Sequence, residues 1–460
     1  MNLFARNILN YLKNTAVHHY LFNVMNISKA KIDKAGSVLA HSQGMTEDDL
    51  LSSEEILNKF LESESLFDEY RKSHLQPLSQ TTLELQNWLT DYGKSYYIAQ
   101  RLKRKPQIIR KLNRLSVRLT QLQDVGGCRI IVEKNGDVDK LLKFLEAKVE
   151  QQSDLIIDGT RDYREKGRDD TGYRSVHLIL KRAGFKLELQ IRSRIQHYWA
   201  ESIERTSVIY GYHLKEKEGD ASVIQYFKNL SDVFFDIESG GEPSSQQKLE
   251  IDRLKLVCEG IIKNSDRNKV FDSYINEDVI KTLSEKEANN KYTINNWIIV
   301  FDWNTGAFVT WDVVSRDPDD AFKKYVQNEH DYPAEHGYEV VMIGSSEVAT
   351  VRQTHSHYFG IDSYDNILES IDQSILGFSK RMDIDIGARQ ILICLHRKHH
   401  WGIRNAIGQD VLKNHLCKNV MAFDSSLKAL ADKGLVLMQG GNLPPVSLNI
   451  QMKAEIEQYI

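Results

Sequence analysis

Cysteine is scarce in this sequence. Its 460 residues include four, Cys128, Cys258, Cys394 and Cys417, scattered without paired spacing. Such usage favours reduced thiols in a cytoplasmic setting over a disulfide framework or a zinc site. Long apolar runs are missing too. None approaches the roughly 20 residues of a membrane span, and the amphipathic start MNLFARNILNYLKN lacks the uninterrupted apolar stretch of a secretion signal. Nor is there a strong excess of either charge. A formal net charge of −4 and a pI near 6.4 argue against a general nucleic-acid binder.

What remains is globular in composition, with 41% hydrophobic and 27% charged residues and room for about two to four domains. The charge is unevenly spread. Lys94, Arg101, Lys103, Arg104, Lys105, Arg110, Lys111, Arg114 and Arg118 crowd one stretch that contains no acid. That concentration points to a polyanion close by. Pro106 suits a helix start, and Ile108, Ile109, Leu112 and Leu115 give an apolar face that leaves Arg110, Lys111 and Arg114 on the other. A solvated amphipathic helix is the competing reading of the same segment.

Two further stretches carry polar residues at informative places. Cys128 to Val132 reads as a strand, led by Asp124, Gly126 and Gly127. An aspartate before such a start either holds a cation near phosphate or makes a turn. Farther on, Val176, Leu178 and Leu180 alternate with His177, Ile179 and Lys181, and Phe185, Leu187, Leu189 and Ile191 repeat the period. The two runs predict a hairpin turning at Arg182-Ala-Gly, with Lys186, Glu188, Gln190 and Arg192 in one row. The competing reading is a solvated face of an antiparallel pair.

Around these stretches the pattern is mainly helical before residue 94. Thr46 is expected to cap one helix, and YRKSHLQPLSQTTLELQNWL reads as two helices interrupted near Pro77, with Thr81 or Thr82 capping the second. Asp137 is expected to cap VDKLLKFLEAKV. Helices from Ile191 continue to about Ile237, and ESGGEPSSQQ is the best linker in the chain. A connector helix follows, then a hairpin turning at Asn304-Thr-Gly, a helix capped by Asp317, a strand over 338–343, and a helix in SSEVATVRQTHSHYFG. His330, His336, His355 and His357 in this part do not reproduce a zinc pattern. The last part reads as short helices and a strand–turn–strand, a winged-helix-like module. The modest cluster Arg397-Lys398-His399-His400 speaks more for a protein contact than for DNA.

Five motifs then fall in order: Arg101-x-Lys103, Lys111, Asp124-x-x-Gly127-x-Arg129, Gly172-Tyr173-x-Ser175-x-His177 and Glu188-x-Gln190-x-Arg192. Together, over roughly residues 54–237, they resemble the synthetase domain of the RelA/SpoT family, in the manner of a small alarmone synthetase. That family moves pyrophosphate from ATP to the ribose 3′-hydroxyl of GDP or GTP. The resemblance implies a nucleotidyltransferase-like α/β fold, a mixed sheet flanked by helices. It also implies that Arg101, Lys103 and Lys111, with Arg129, hold ATP, and that Asp124 ligates Mg2+. Glu188 either completes the metal shell or takes the acceptor proton, and Tyr173 stacks on the acceptor guanine beside His177, Gln190 and Arg192. Where most members carry a Pro-Lys pair, this chain has Glu165-Lys-Gly-Arg-Asp-Asp, so Lys166 or Arg168 is expected to supply the positive charge. Gln107 stands where a serine is usual.

The departures leave the acceptor open. A growth-inhibiting relative that pyrophosphorylates the tRNA 3′ end or adenine nucleotides, as in phage defence, is the second reading, and a non-catalytic nucleotide-binding regulator the third. No His-Asp pair resembling the family's hydrolase domain precedes the motifs. The expected organisation is a helical segment 1–53, the synthetase domain 54–238, a linker and connector helix 239–290, a small α+β domain 291–362 and a winged-helix-like domain 363–460. The C-terminal domains are expected to sense a regulatory protein or ligand and gate the site. The expected setting is cytoplasmic and free of membrane, with oligomer assembly possible.

Overall fold

The computed structural model describes residues 27–93, 96–151, 154–168, 171–241, 243–265, 295–314, 317–345, 355, 384, 386–417, 420, 423–438, 440–441 and 443–459. Residues 346–354 and 356–360 of the predicted helix in SSEVATVRQTHSHYFG, with His357 among them, and the N-terminal amphipathic stretch lie outside them. Among the described residues no helix is long and apolar enough to cross a membrane.

The described residues open with helix α1 (Lys29–Ser42) and a single turn, Glu47–Leu51, in which Thr46 and Asp49 form a capping box. Helices α2 (Glu54–Lys72) and α3 (Leu75–Tyr92) follow. The break between them falls at Ser73 and His74, ahead of Pro77. Pro77 sits in the first turn of α3, where a helix makes no use of its missing N–H. Thr81 and Thr82 are therefore buried mid-helix and cap nothing.

Strand β1 (Tyr96–Leu102) leads into α4 (Lys105–Arg114), whose first turn holds Pro106 as expected. Strand β2 (Gly126–Val132), helix α5 (Asn135–Glu150) and strand β3 (Leu155–Asp162) come next. Asp137 lies inside the first turn of α5, and the capping position is Lys134. The hairpin of β4 (Val176–Arg182) and β5 (Phe185–Ser193) turns on Ala183 and Gly184, both at positive φ. Helices α6 (Arg194–Tyr210), α7 (Ala221–Glu238) and α8 (Ser245–Lys263) complete this part.

Strands β6 (Asn295–Asp302) and β7 (Ala307–Val314), helix α9 (Pro318–Asp331, capped by Asp317) and strand β8 (Tyr338–Ser345) follow. They do not close into a sheet of their own. All eight strands form one mixed sheet in the order β3-β4-β5-β2-β1-β8-β6-β7, in which only β2 and β5 run parallel. Strands β6, β7 and β8, which lie in the stretch 291–362 read from the sequence as a separate small domain, extend the sheet from the β1 edge.

The packing agrees with the topology. On one face, Leu178, Leu189 and Ile130 pack under α3 and α5. Near β1 and β8 the same layer holds Leu102, Ile298, Val300 and Met342 against α1, α2 and α9. On the other face Trp199, Phe227 and Ile251 of α6, α7 and α8 share a core with Trp297, Phe301 and Ile343. The ESGGEPSSQQ stretch is thus a short turn, because α8 returns onto α7. A separate core of Leu392, Leu395, Leu427 and Val446 is built from α10 (Ile386–Arg397), α11 (Phe423–Asp432) and a two-stranded ribbon of residues 436–438 and 446–448.

Candidate functional site

Strand register gathers the polar residues. Because side chains alternate across a strand, residues paired across neighbouring strands share a face. Arg101, Gly127, Glu188 and Ile179 form one such row across β1, β2, β5 and β4, and Ala99, Arg129, Gln190 and His177 form the next. Gly127 is the row's deliberate gap. A Cβ there would lie 2.7 Å from the Glu188 carbonyl oxygen, so any larger residue would force β2 and β5 apart. The opposite faces of β4 and β5 bury Leu178, Leu180, Leu187 and Leu189, at roughly 1.5–3 kcal/mol each, which fixes which face is polar.

Above these rows lies an open cleft of about 300 Å³, lined among others by Arg101, Lys103, Lys111, Asp124, Tyr173 and Glu188. Arg129, His177, Gln190, Arg192 and Arg168 also line it. Lys166 is exposed and does not.

The basic side of the cleft is organised by Asp124. Its Oδ2 accepts hydrogen bonds from Lys103 Nζ at 2.6 Å and Lys111 Nζ at 2.8 Å. Burial alone would raise the Asp124 pKa, but the two ammonium groups outweigh it and hold the carboxyl well below its usual range. Lys111 is in turn lowered by burial and by the charge of Lys103. Arg101 donates to Gln107 Oε1 at 3.0 Å, so the residue standing in place of the usual serine orients a guanidinium. Arg129 faces Glu201 at 3.4 Å.

The other side is a chain of hydrogen bonds. The Tyr173 hydroxyl pairs with His177 Nε2 at 2.7 Å and accepts from Arg192 Nη2 at 2.7 Å. His177 Nδ1 meets Glu188 Oε1 at 2.9 Å, and Gln190 Nε2 donates to Glu188 Oε2 at 2.7 Å. Arg192 Nη2 also donates to Gln190 Oε1, closing the ring. Burial pushes Glu188 upward, yet the bond and charge of His177 prevail and keep it ionised below the usual carboxylate range. Burial likewise opposes ionisation of Tyr173, but Arg192 and His177 bring the phenol down to about 7. The Arg192 guanidinium covers one face of the Tyr173 ring at 4.9 Å.

The described residues on both sides of positions 169 and 170, between β3 and β4, are held by specific contacts. Arg174, buried, donates to Ser231 Oγ and Asp232 of α7 and lies 4.5 Å over Phe235. Gly172 is held at φ 87° against Lys228 and Ser231, where a Cβ would collide. Arg168 bridges to Tyr173 and sits 5.4 Å over the Tyr163 ring.

Among the described residues four carboxylates line the cleft; Glu204 and Glu216 are paired with Lys215 and Arg110, and Asp124 and Glu188 are the two that could hold a divalent cation. Asp124 Oδ1 is buried without a hydrogen-bond partner. Such a donor set suits Mg2+, which takes one or two carboxylates and fills its shell with water and substrate phosphate.

The sequence reading missed several lining residues. Lys215, in the turn after α6, donates to the Ala200 carbonyl and to Glu204, both at 2.9 Å. His355 reaches the cleft from far along the chain and is 2% exposed. Neither carried a local signal, since a single lysine or histidine outside a motif has none.

Residues 100–215 match the family described as a region found in RelA/SpoT proteins. The chain carries a RelA/SpoT-family domain. Every candidate residue from Arg101 to Arg192 lies within it. Solved structures similar to the chain include small alarmone synthetase 1 from Bacillus subtilis bound to its product pppGpp, at 20% identity and a TM-score of 0.28 over 40% of this chain and 93% of that one. Small alarmone synthetase 2 from Bacillus subtilis is similar at 20% identity and a TM-score of 0.30, over 38% of this chain and 93% of that one. No curated protein sequence matches the chain.

Proposed function

We propose that the chain is a Mg2+-dependent pyrophosphokinase that moves pyrophosphate from ATP to the 3′-hydroxyl of GDP or GTP, making (p)ppGpp in the cytoplasm. The observation that carries this is the row from Arg101 across the Gly127 gap to Glu188, with Lys103 and Lys111 gathered on Asp124 beside it.

Pyrophosphoryl transfer asks for charge neutralisation and in-line placement more than for covalent chemistry. Arg101, Lys103 and Lys111 would bind the triphosphate, with Arg129 behind them. Asp124 and Glu188 would hold Mg2+, which when bound supplies positive charge to the phosphate oxygens. The acceptor 3′-oxygen bonds to the β-phosphorus, the bond from that phosphorus to the bridging oxygen breaks, and AMP leaves. Glu188, kept ionised by His177 and Gln190, would either complete the metal shell or take the hydroxyl proton. On the acceptor side, Tyr173, His177, Gln190, Arg192 and Arg168 would orient the nucleotide. Residues after Gln246 would adjust this site in response to a partner or ligand.

The test is a panel of acceptors. The protein is incubated with Mg2+ and ATP labelled at the β- and γ-phosphates, together with GDP, GTP, adenine nucleotides or bulk tRNA in separate reactions. Label on GDP or GTP supports the proposal. Label on tRNA or adenine nucleotides alone transfers the reading to those acceptors, and none on any acceptor overturns it.

A further inference from the structure

The basic stretch divides by function once its partners are known. Arg101, Lys103 and Lys111 line the cleft, but Arg104 pairs with Glu339, and Lys105 with Glu64 at 2.7 Å and Asp68 at 3.2 Å. At the centre of these anchors is Arg71 of α2, whose side chain is fully buried. Its guanidinium donates to both oxygens of Glu329 in α9, each at 3.0 Å, and to Asp68 at 3.1 Å. Its Nη2 also donates to the backbone carbonyl of Lys103 at 3.3 Å. The rings of Phe322 and Tyr325 in α9 stack near it at 5.8 and 5.3 Å.

One guanidinium therefore joins a helix of the later half-sheet to the main chain of a cleft lysine. The Lys103 N–H donates to the Val125 carbonyl at 2.8 Å, next to Asp124, so the joint extends to the carboxylate that gathers both lysines. Strand pairing repeats the connection. Gln100 and Arg101 of β1 pair with Gly344 and Ile343 of β8. A Cβ on Gly344 would run into the Gln100 side chain, which is 2% exposed and has nowhere to go.

We infer that residues 295–345 are the positioning element for the triphosphate side of the cleft, with Arg71 and Glu329 as its positioning pair and the β1–β8 seam as its rail. A bidentate pair of this kind fixes direction as well as distance. Because Glu329 of α9 reaches the Lys103 carbonyl through Arg71, and β8 pairs with β1 at Arg101, a shift in them acts first on Arg101 and Lys103 rather than on the hydrogen-bonded ring of Tyr173, His177 and Glu188. The inference rests on the proposed reaction for its kinetic reading, though nucleotide binding tests it separately.

The variants are Glu329→Gln, which leaves Arg71 paired with Asp68, and Gly344→Ala at the seam. In the full-length protein each should raise KM for ATP, and the dissociation constant for the non-hydrolysable analogue AMPCPP, by about tenfold. KM for the guanine acceptor should stay within about twofold. A lost positioning contact separates the two substrates in this way, whereas general destabilisation raises both together. Equal changes for both substrates, or an unchanged AMPCPP affinity in both variants, would overturn the inference. If the wild type transfers no label but binds AMPCPP, the reaction proposal fails and the binding comparison still decides this one.

Discussion

Glu188 accepts hydrogen bonds at both oxygens, from His177 and from Gln190, so it is ionised and aimed before any substrate arrives. Glu188→Gln should lower transfer by at least about 10²-fold while AMPCPP binding changes little. Wild-type turnover in that variant would refute its role. Glu238, at the end of α7, shows the opposite electrostatics. Burial raises its pKa to about 7, and its Oε1 is buried without a partner. Between its unfolded value near 4.5 and about 7 the folded protein holds a proton that the unfolded chain has lost, so stability falls as pH rises through that window. Glu238→Gln should melt above the wild type at pH 8, by on the order of 1–3 kcal/mol, with the gap closing toward pH 5. Thermal melts across that range check it, and a constant gap would contradict it. Motif residues such as Glu188 were legible because two strands of period two set their faces. Lys215 and His355 were not, since a residue delivered to a cleft by distant packing leaves no local pattern.

At the scale of elements, the hairpin of β4 and β5 was legible down to its turn. Leucines on alternate positions of both strands have only one way to face the core, and that fixes the register. The turn itself is imperfect. Ala183 is exposed at φ 47°, a region that costs an L-residue about 1 kcal/mol and glycine nothing. Ala183→Gly should therefore stabilise the protein by about 0.5 kcal/mol, after the extra chain entropy of glycine is offset. Equilibrium unfolding in urea measures this, and a destabilised variant would count against the turn geometry. The α2–α3 boundary was read too late in the chain because proline is a strong breaker everywhere except a helix's first turn. Pro77 lies in that exception.

At the scale of the molecule, the sequence divided what the fold joins. A linker rich in Gly, Ser and Pro and a fresh hairpin pattern both mark a boundary locally, and neither reveals that β8 pairs with β1 more than two hundred residues earlier. An edge strand and an interior strand can carry the same alternation, so long-range pairing stays hidden. The consequence bears on truncation. Removing residues after 245 would strip Ile298, Val300 and Trp297 from two cores and bare the β1 edge. The shortened chain should aggregate or lose AMPCPP binding, and a soluble truncation with wild-type affinity would contradict the shared sheet. The bond that breaks in ATP decides the proposed reaction. The most direct measurement is the ratio of AMP released to doubly labelled acceptor formed in a single reaction with GDP or GTP. The account predicts one AMP for each acceptor, carrying both the β- and γ-labels, whereas release of ADP with only the γ-label transferred would contradict it.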